Sequence, residues 1–127
     1  MTVQIWMKKA DRNLKSAELL LTNDDPEAAC NRAYYAIFNA ARAALWVSGK
    51  PERAMAKTHS GMIAAFSEYL VKAGHIDAKH GSNFGSESKR RMLSDYGGGV
   101  LSADNANEAI ENAKAFISAV KHWISKQ

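Results

Sequence analysis

The sequence predicts an all-α fold, a four- to five-helix antiparallel up-and-down bundle. Three observations carry this. Apolar residues recur every three or four positions in each long segment, and no stretch alternates in the manner of a strand. The only two prolines, Pro26 and Pro51, stand at segment boundaries. The breaks are marked by capping residues and glycines: Asp24-Asp25-Pro26, Gly49, Thr58, Gly74 and Ser102. A chain of 127 residues is the length of one domain, here spanning 1–127.

The first helix is predicted over 3–22. Val3, Met7, Ala10, Leu14, Ala17 and Leu21 form its apolar stripe, widened by Ile5, Trp6 and Leu20. Asp24 or Asp25 caps the second helix, Pro26 fits its first turn and Glu27 adds negative charge at its positive end. The short break makes the first two helices an antiparallel hairpin. Gly49 ends the second helix as a left-handed cap.

Residues 50–57 read as a charged connection. Thr58 caps a third helix that runs to about Ala73, with Met62, Ile63, Phe66, Tyr69 and Leu70 apolar; Gly61 in its first turn suits a close helix contact. Gly74 stops it. Residues 74–86, with two histidines and several glycines, are expected as a loop or short turns before a fourth helix from about Asn83 or Ser86 to Asp95. Gly97-Gly98-Gly99 is expected as a mobile loop. Ser102 or Asp104 caps the last helix, which extends to about Ser125.

Hydrophobic residues make up 46% of the chain, which excludes a disordered polymer. The net charge of +4 is compatible with nucleic acid or an acidic partner without singling either out. The lone Cys30 sits on an apolar helix face and is expected as a buried, inert thiol, which suits a reducing cytoplasm. No signal peptide or membrane-spanning run is visible, so a cytoplasmic protein without membrane attachment is expected. There is no Gly-rich phosphate loop with lysine, no CxxC and no GxSxG. His75, Asp77 and His80 read as a polar loop rather than a metal site, so no metal or other cofactor is expected.

The second helix carries two distinct faces. Cys30, Ala33, Tyr34, Ile37, Ala41 and Ala44 form a core stripe. Arg32, Tyr35, Asn39, Arg42 and Trp46 form another, and two arginines, an amide and two aromatics in one row suit a ligand or a second subunit better than plain solvent. Further on, Arg91 and Asp95 lie four residues apart and share a helix face. Their plain reading is a local ion pair. Their functional reading is a guanidinium held by a carboxylate and aimed at a phosphate.

NRAYYAIFNAARAAL, then KTHSGMIAAF, then RRMLSDY, in that order and separation, resemble the HEPN superfamily. More narrowly they resemble its short stand-alone branch, over roughly residues 8–125. The resemblance implies a helical bundle, usually homodimeric, often paired with a small nucleotidyltransferase in systems of the toxin–antitoxin or defence type. It also implies, for many members, a metal-independent ribonuclease with Arg and, four to six residues later, His at the dimer interface. Arg91 matches that arginine, but five residues after Arg90 stands Asp95 and five after Arg91 stands Tyr96. Asp95 is a base rather than an acid at neutral pH, and His59 is the candidate stand-in. Tyr96 is a candidate for nucleotide addition by the partner enzyme.

Three readings stay open at this point. One is a binding module that holds nucleotide or RNA through Arg32, Tyr35, Asn39, Arg42, Arg91 and Asp95. Another is an active ribonuclease toxin using Arg91 with Asp95 or His59. The third is a non-catalytic helical dimer. The first two require Arg32, Tyr35 and Arg91 to converge in one cleft.

Overall fold

The computed structural model describes residues 2–96 and 99–127. Helix α1 (Thr2–Thr22) and helix α2 (Pro26–Val47) form the expected antiparallel hairpin. Trp6 near the start of α1 meets Trp46 near the end of α2, and Asn13 of α1 receives a hydrogen bond from Arg32 of α2. Asp25 is the cap, its carboxylate accepting from the Ala28 amide, and Pro26 opens the helix. Asp24 takes the left-handed conformation that closes the turn, with φ of 67°.

A one-turn helix α3 (Pro51–Ala54) interrupts the connection that the sequence presents as charged coil. Thr58 caps α4 (His59–Phe66) by accepting from the Gly61 amide. A Cβ on Gly61 would lie 2.7 Å from the Thr58 hydroxyl oxygen, so this glycine serves the cap rather than a neighbouring helix. From Ser67 to Val71 the helix widens into a π-turn, then stops at Gly74, whose φ is 81°.

Helix α5 (Ala78–Tyr96) starts five residues earlier than Asn83, the earlier of the two expected starts. Asp77 caps it through the Lys79 amide. Gly81 and Gly85 lie inside it, at a cost of about 1 kcal/mol each relative to alanine. Burial of His80, Phe84 and Glu87 on one side outweighs that cost, and Gly81 lets Val71 of the π-turn approach closely. The glycine run expected as a mobile loop falls at Gly97 and Gly98, outside the described residues. Helix α6 (Ala103–Ser125) opens with a reciprocal capping box between Ser102 and Asn105.

No strand occurs among the described residues, and none of their helices is long and apolar enough to cross a membrane. α2 is the central helix. Its predicted stripe of Cys30, Ala33, Tyr34, Ile37, Ala41 and Ala44 is fully buried. The alanines let α1 and α6 pack close, while Phe66, Phe84 and Phe116 fill the space between α4, α5 and α6. Burial pushes the Cys30 thiol up to about 11, as an inert thiol requires. Ile5, expected to widen the α1 stripe, is exposed instead.

Candidate functional site

The first third of α2 lies beside the last third of α5 and the start of α4, and this junction gathers the polar residues that the sequence scatters. Arg91 Nη1 lies 2.8 Å from Asp95 Oδ2. The other oxygen of Asp95 accepts from Asn31 Nδ2 at 3.4 Å, across 64 residues of chain. Asn31 Oδ1 in turn accepts from Arg32 Nη2 at 2.8 Å and Nε at 3.3 Å. A single chain of hydrogen bonds therefore joins the two guanidinium groups. Arg32 also donates to Asn13 of α1 at 3.3 Å, so three helices fix its direction.

Arg91 is the more deeply set of the two, with its side chain 15% exposed. Its guanidinium lies 5.4 Å above the ring of Tyr34, and its Nε is buried without a partner among the described residues. Tyr34 is fully buried, yet its hydroxyl reaches His59 Nδ1 at 2.7 Å. The His59 ring also packs 6.0 Å from Tyr35 and 5.3 Å from Phe38. Burial lowers the proton affinity of His59, the nearby Arg91 cation lowers it further, and Asp95 opposes both. Burial pushes the Tyr34 phenol up to about 12. At neutral pH this is a neutral imidazole held by a neutral phenol next to a fixed cation. Such a pair can give or take a proton at the free Nε2.

Beside this junction is a cleft of about 360 Å³ lined by Asn31, Arg32, Ser94 and Asp95, and by Asp25 and Glu27 at the α2 cap. Three carboxylates against one arginine make that cleft acidic. An anion is better received on the other side of the bridge, where Arg32, Tyr35, His59 and Arg91 stand together.

Arg32, Tyr35, Arg91, Asp95 and His59 are thus neighbours. Tyr35 lies under the Arg32 cation at 5.1 Å. Asn39 and Arg42 do not join them. Asn39 is buried and donates to the Tyr35 carbonyl one turn back. Arg42 Nε donates to the Ala54 carbonyl at 2.8 Å, tying α3 to α2, while its guanidinium lies over Phe38 and Trp6. Tyr96 ends α5 at 84% exposure. Asn13, Asn31 and the Tyr34 hydroxyl escape the sequence reading. Asn31 precedes Arg32 without a periodic signal of its own, and a core-stripe tyrosine reads as apolar filling.

Comparison with known proteins agrees with this architecture. The family model described as HEPN domain matches residues 3–123. A UPF0332 protein of Thermotoga maritima is 32% identical over 123 residues, covering 96% of this chain and 90% of the relative. A protein of Methanocaldococcus jannaschii, named as a candidate toxin, is 30% identical, covering 94% of this chain and 86% of its own. A UPF0332 protein of Gloeobacter violaceus is 32% identical, covering 97% and 96% respectively.

Proposed function

The chain belongs to the HEPN domain family, and on that premise we propose that it is the HEPN component of a toxin–antitoxin or defence-type pair with a small nucleotidyltransferase. In this reading it grips the phosphodiester of RNA or a nucleotide. The observation that carries the reading is the bridge from Arg91 through Asp95 and Asn31 to Arg32. It holds two guanidinium groups from opposite ends of the chain in fixed orientation, which is how a planar donor fork is made ready for phosphate oxygens. The relative named as a candidate toxin supports the toxin-like role.

The protein works as a homodimer in this reading. Met92, Leu93, Tyr96 and Val100 leave large apolar groups exposed at and just past the C-terminal end of α5, beside the site, and a second copy would cover them. Tyr96 offers an accessible phenol to the nucleotidyltransferase. The test is copurification with the neighbouring nucleotidyltransferase and titration with RNA. Retention of RNA by wild type and its loss in Arg91→Ala support the reading. No RNA or nucleotide binding by wild type refutes it.

One observation favours a second reading, a metal-independent ribonuclease. His59 occupies the place that a proton-shuttling histidine needs, although it comes from α4 rather than from the residues after Arg91. In that chemistry the 2′-hydroxyl attacks the adjacent phosphorus, giving a 2′,3′-cyclic phosphate and releasing the 5′-oxygen, which takes a proton. His59 Nε2 moves the proton, while Arg91 and Arg32 hold the charge that builds on the non-bridging oxygens. RNA cutting in the presence of a chelator, abolished in both His59→Asn and Arg91→Ala, selects this reading over binding alone.

A further inference from the structure

The exposed face of α2 carries more than the Arg32 end of the site. From the Arg32 cation an unbroken series of stacked groups runs along the helix. Arg32 lies 5.1 Å from the Tyr35 ring, and Tyr35 is 6.1 Å from Phe38. The Arg42 guanidinium is 4.8 Å above Phe38 and 5.6 Å from Trp6. Trp6 meets Trp46 edge-on at 5.4 Å. From residue 32 to residue 46 the helix advances about 21 Å at ~1.5 Å per residue.

We propose that this series of arginines and aromatics is a track for a single-stranded nucleic acid, leading away from the Arg91–His59 junction toward Trp46. The inference rests on the reading above, that the junction holds a phosphodiester. It adds the strandedness of the ligand, its footprint and its direction. Flat rings alternating with guanidinium groups are what sequence-tolerant binding of unpaired bases uses, because every base has a π-face and every linkage a negative charge. The length suits roughly four nucleotides, the lower end of the footprints of single-strand binders.

Two further observations favour a nucleic acid as the occupant. Neither Arg32 nor Arg42 has a carboxylate within ion-pair distance among the described residues; both are held by neutral oxygens, of Asn13 and Asn31 in one case and Ala54 in the other. Their positive charge is oriented but not neutralised. In addition, α2 carries no acidic residue from Arg32 to Trp46. A second copy docked across a two-fold axis would set this face against itself and oppose arginine to arginine. A phosphate backbone meets it with opposite charge. Burial lowers the proton affinity of Arg42, a sign of how far its surroundings have shed water.

The experiment is calorimetric titration of the full chain with unlabelled oligouridylates of two and four nucleotides. The readout is the ratio of the two affinities. Wild type is expected to bind the tetranucleotide about tenfold tighter than the dinucleotide, a gain of the size that one stacked base supplies. In Trp46→Ala, and separately in Arg42→Gln, that ratio should fall close to one. Trp46 lies at the rim of the fold, at 37% exposure, so its removal keeps the test readable if the Arg42 variant unfolds. A dinucleotide that binds and needs Arg91, combined with a ratio near one in wild type or a ratio untouched by Trp46→Ala, overturns the track and leaves the junction standing. Failure of wild type to bind either length overturns both. Loss of a dimer in sedimentation of Trp46→Ala, with the ratio unaltered, assigns the face to a second copy and overturns the track.

Discussion

The hydroxyl of Tyr34 lies 2.7 Å from Nδ1 of His59, joining the buried centre of α2 to the first residue of α4. With the phenol held protonated and the imidazole held neutral, the hydroxyl proton is expected on the bond to Nδ1, leaving the ring proton on Nε2. Nitrogen chemical shifts of His59 test this. Tyr34→Phe removes a donor that favours the neutral ring, so the His59 pKa should rise toward its ordinary value, with a stability loss of about 1 kcal/mol. An unmoved titration curve in the variant would show that the hydroxyl does not set the ring's state.

Arg90 and Arg91 are neighbours in sequence with opposite tasks. Arg90 ties Glu87, the Asn105 carbonyl and Glu108 together, and Glu87 is only 1% exposed. Arg90→Ala strands that carboxylate, although Asn112 still donates to it, and should cost about 3 kcal/mol in urea unfolding. Arg91→Ala should cost about 1 kcal/mol, because its partner Asp95 is half exposed. RNA binding should show the reverse order, with Arg91→Ala the severe variant. Equal effects of the two substitutions on both measurements would contradict the division.

Salt dependence counts the phosphates held. Two contacts, by Arg32 and Arg91, give a slope of log K against log salt of about −1.4 for a single strand. Adding Arg42 along the track brings it to about −2.1 with a tetranucleotide. The dinucleotide and tetranucleotide titrations, repeated across salt concentrations, measure the difference directly.

His59 and His80 both have proton affinities lowered mainly by burial. Below about pH 6.5 the unfolded chain therefore takes up protons that the native state refuses. Stability is full above that value and falls as the pH drops through the lower native pKa values. Urea midpoints at pH 7 and pH 5 should show the decline. His80 Nδ1 is buried with no partner among the described residues. His80→Leu should therefore stay within about 1 kcal/mol of wild type at pH 7 and flatten the acid decline.

Gly61→Ala sets a methyl group against the Thr58 hydroxyl and should release the α4 cap, at a cost of about 1 kcal/mol in thermal unfolding. His59 follows Thr58 directly, so loosening the cap should also weaken the Tyr34 bond. An alanine variant as stable as wild type would mean that the hydroxyl turns aside without penalty.

Helices with strong caps and clean stripes were legible from the chain itself. Asp25, Thr58, Ser102, Gly49 and Gly74 mark boundaries through local chemistry, and α1, α2 and α6 begin and end within a residue or two of expectation. The start of α5 was hidden because Gly81 and Gly85 signal a loop locally, whereas the packing of Phe84 and Glu87 that stabilises the helix comes from distant elements. The site behaves alike. The Arg91–Asp95 pair shows in its spacing, but the Asn31 link spans 64 residues and leaves no periodic trace. Arg42 sits in the same row as Arg32, and only the nearness of Ala54 separates their roles.

The widened turn at Ser67–Val71 amounts to about one residue more than an ordinary helix needs over the same rise. Loss of one codon there would let the segment close into regular turns without breaking the helix. The residues beyond it would swing by about 100° around the axis. Leu70 would leave the interior and Tyr69 would part from Lys50 and Arg53. A shortened reading frame at this point would keep its helical content and lose its registration, an outcome that circular dichroism alone would miss.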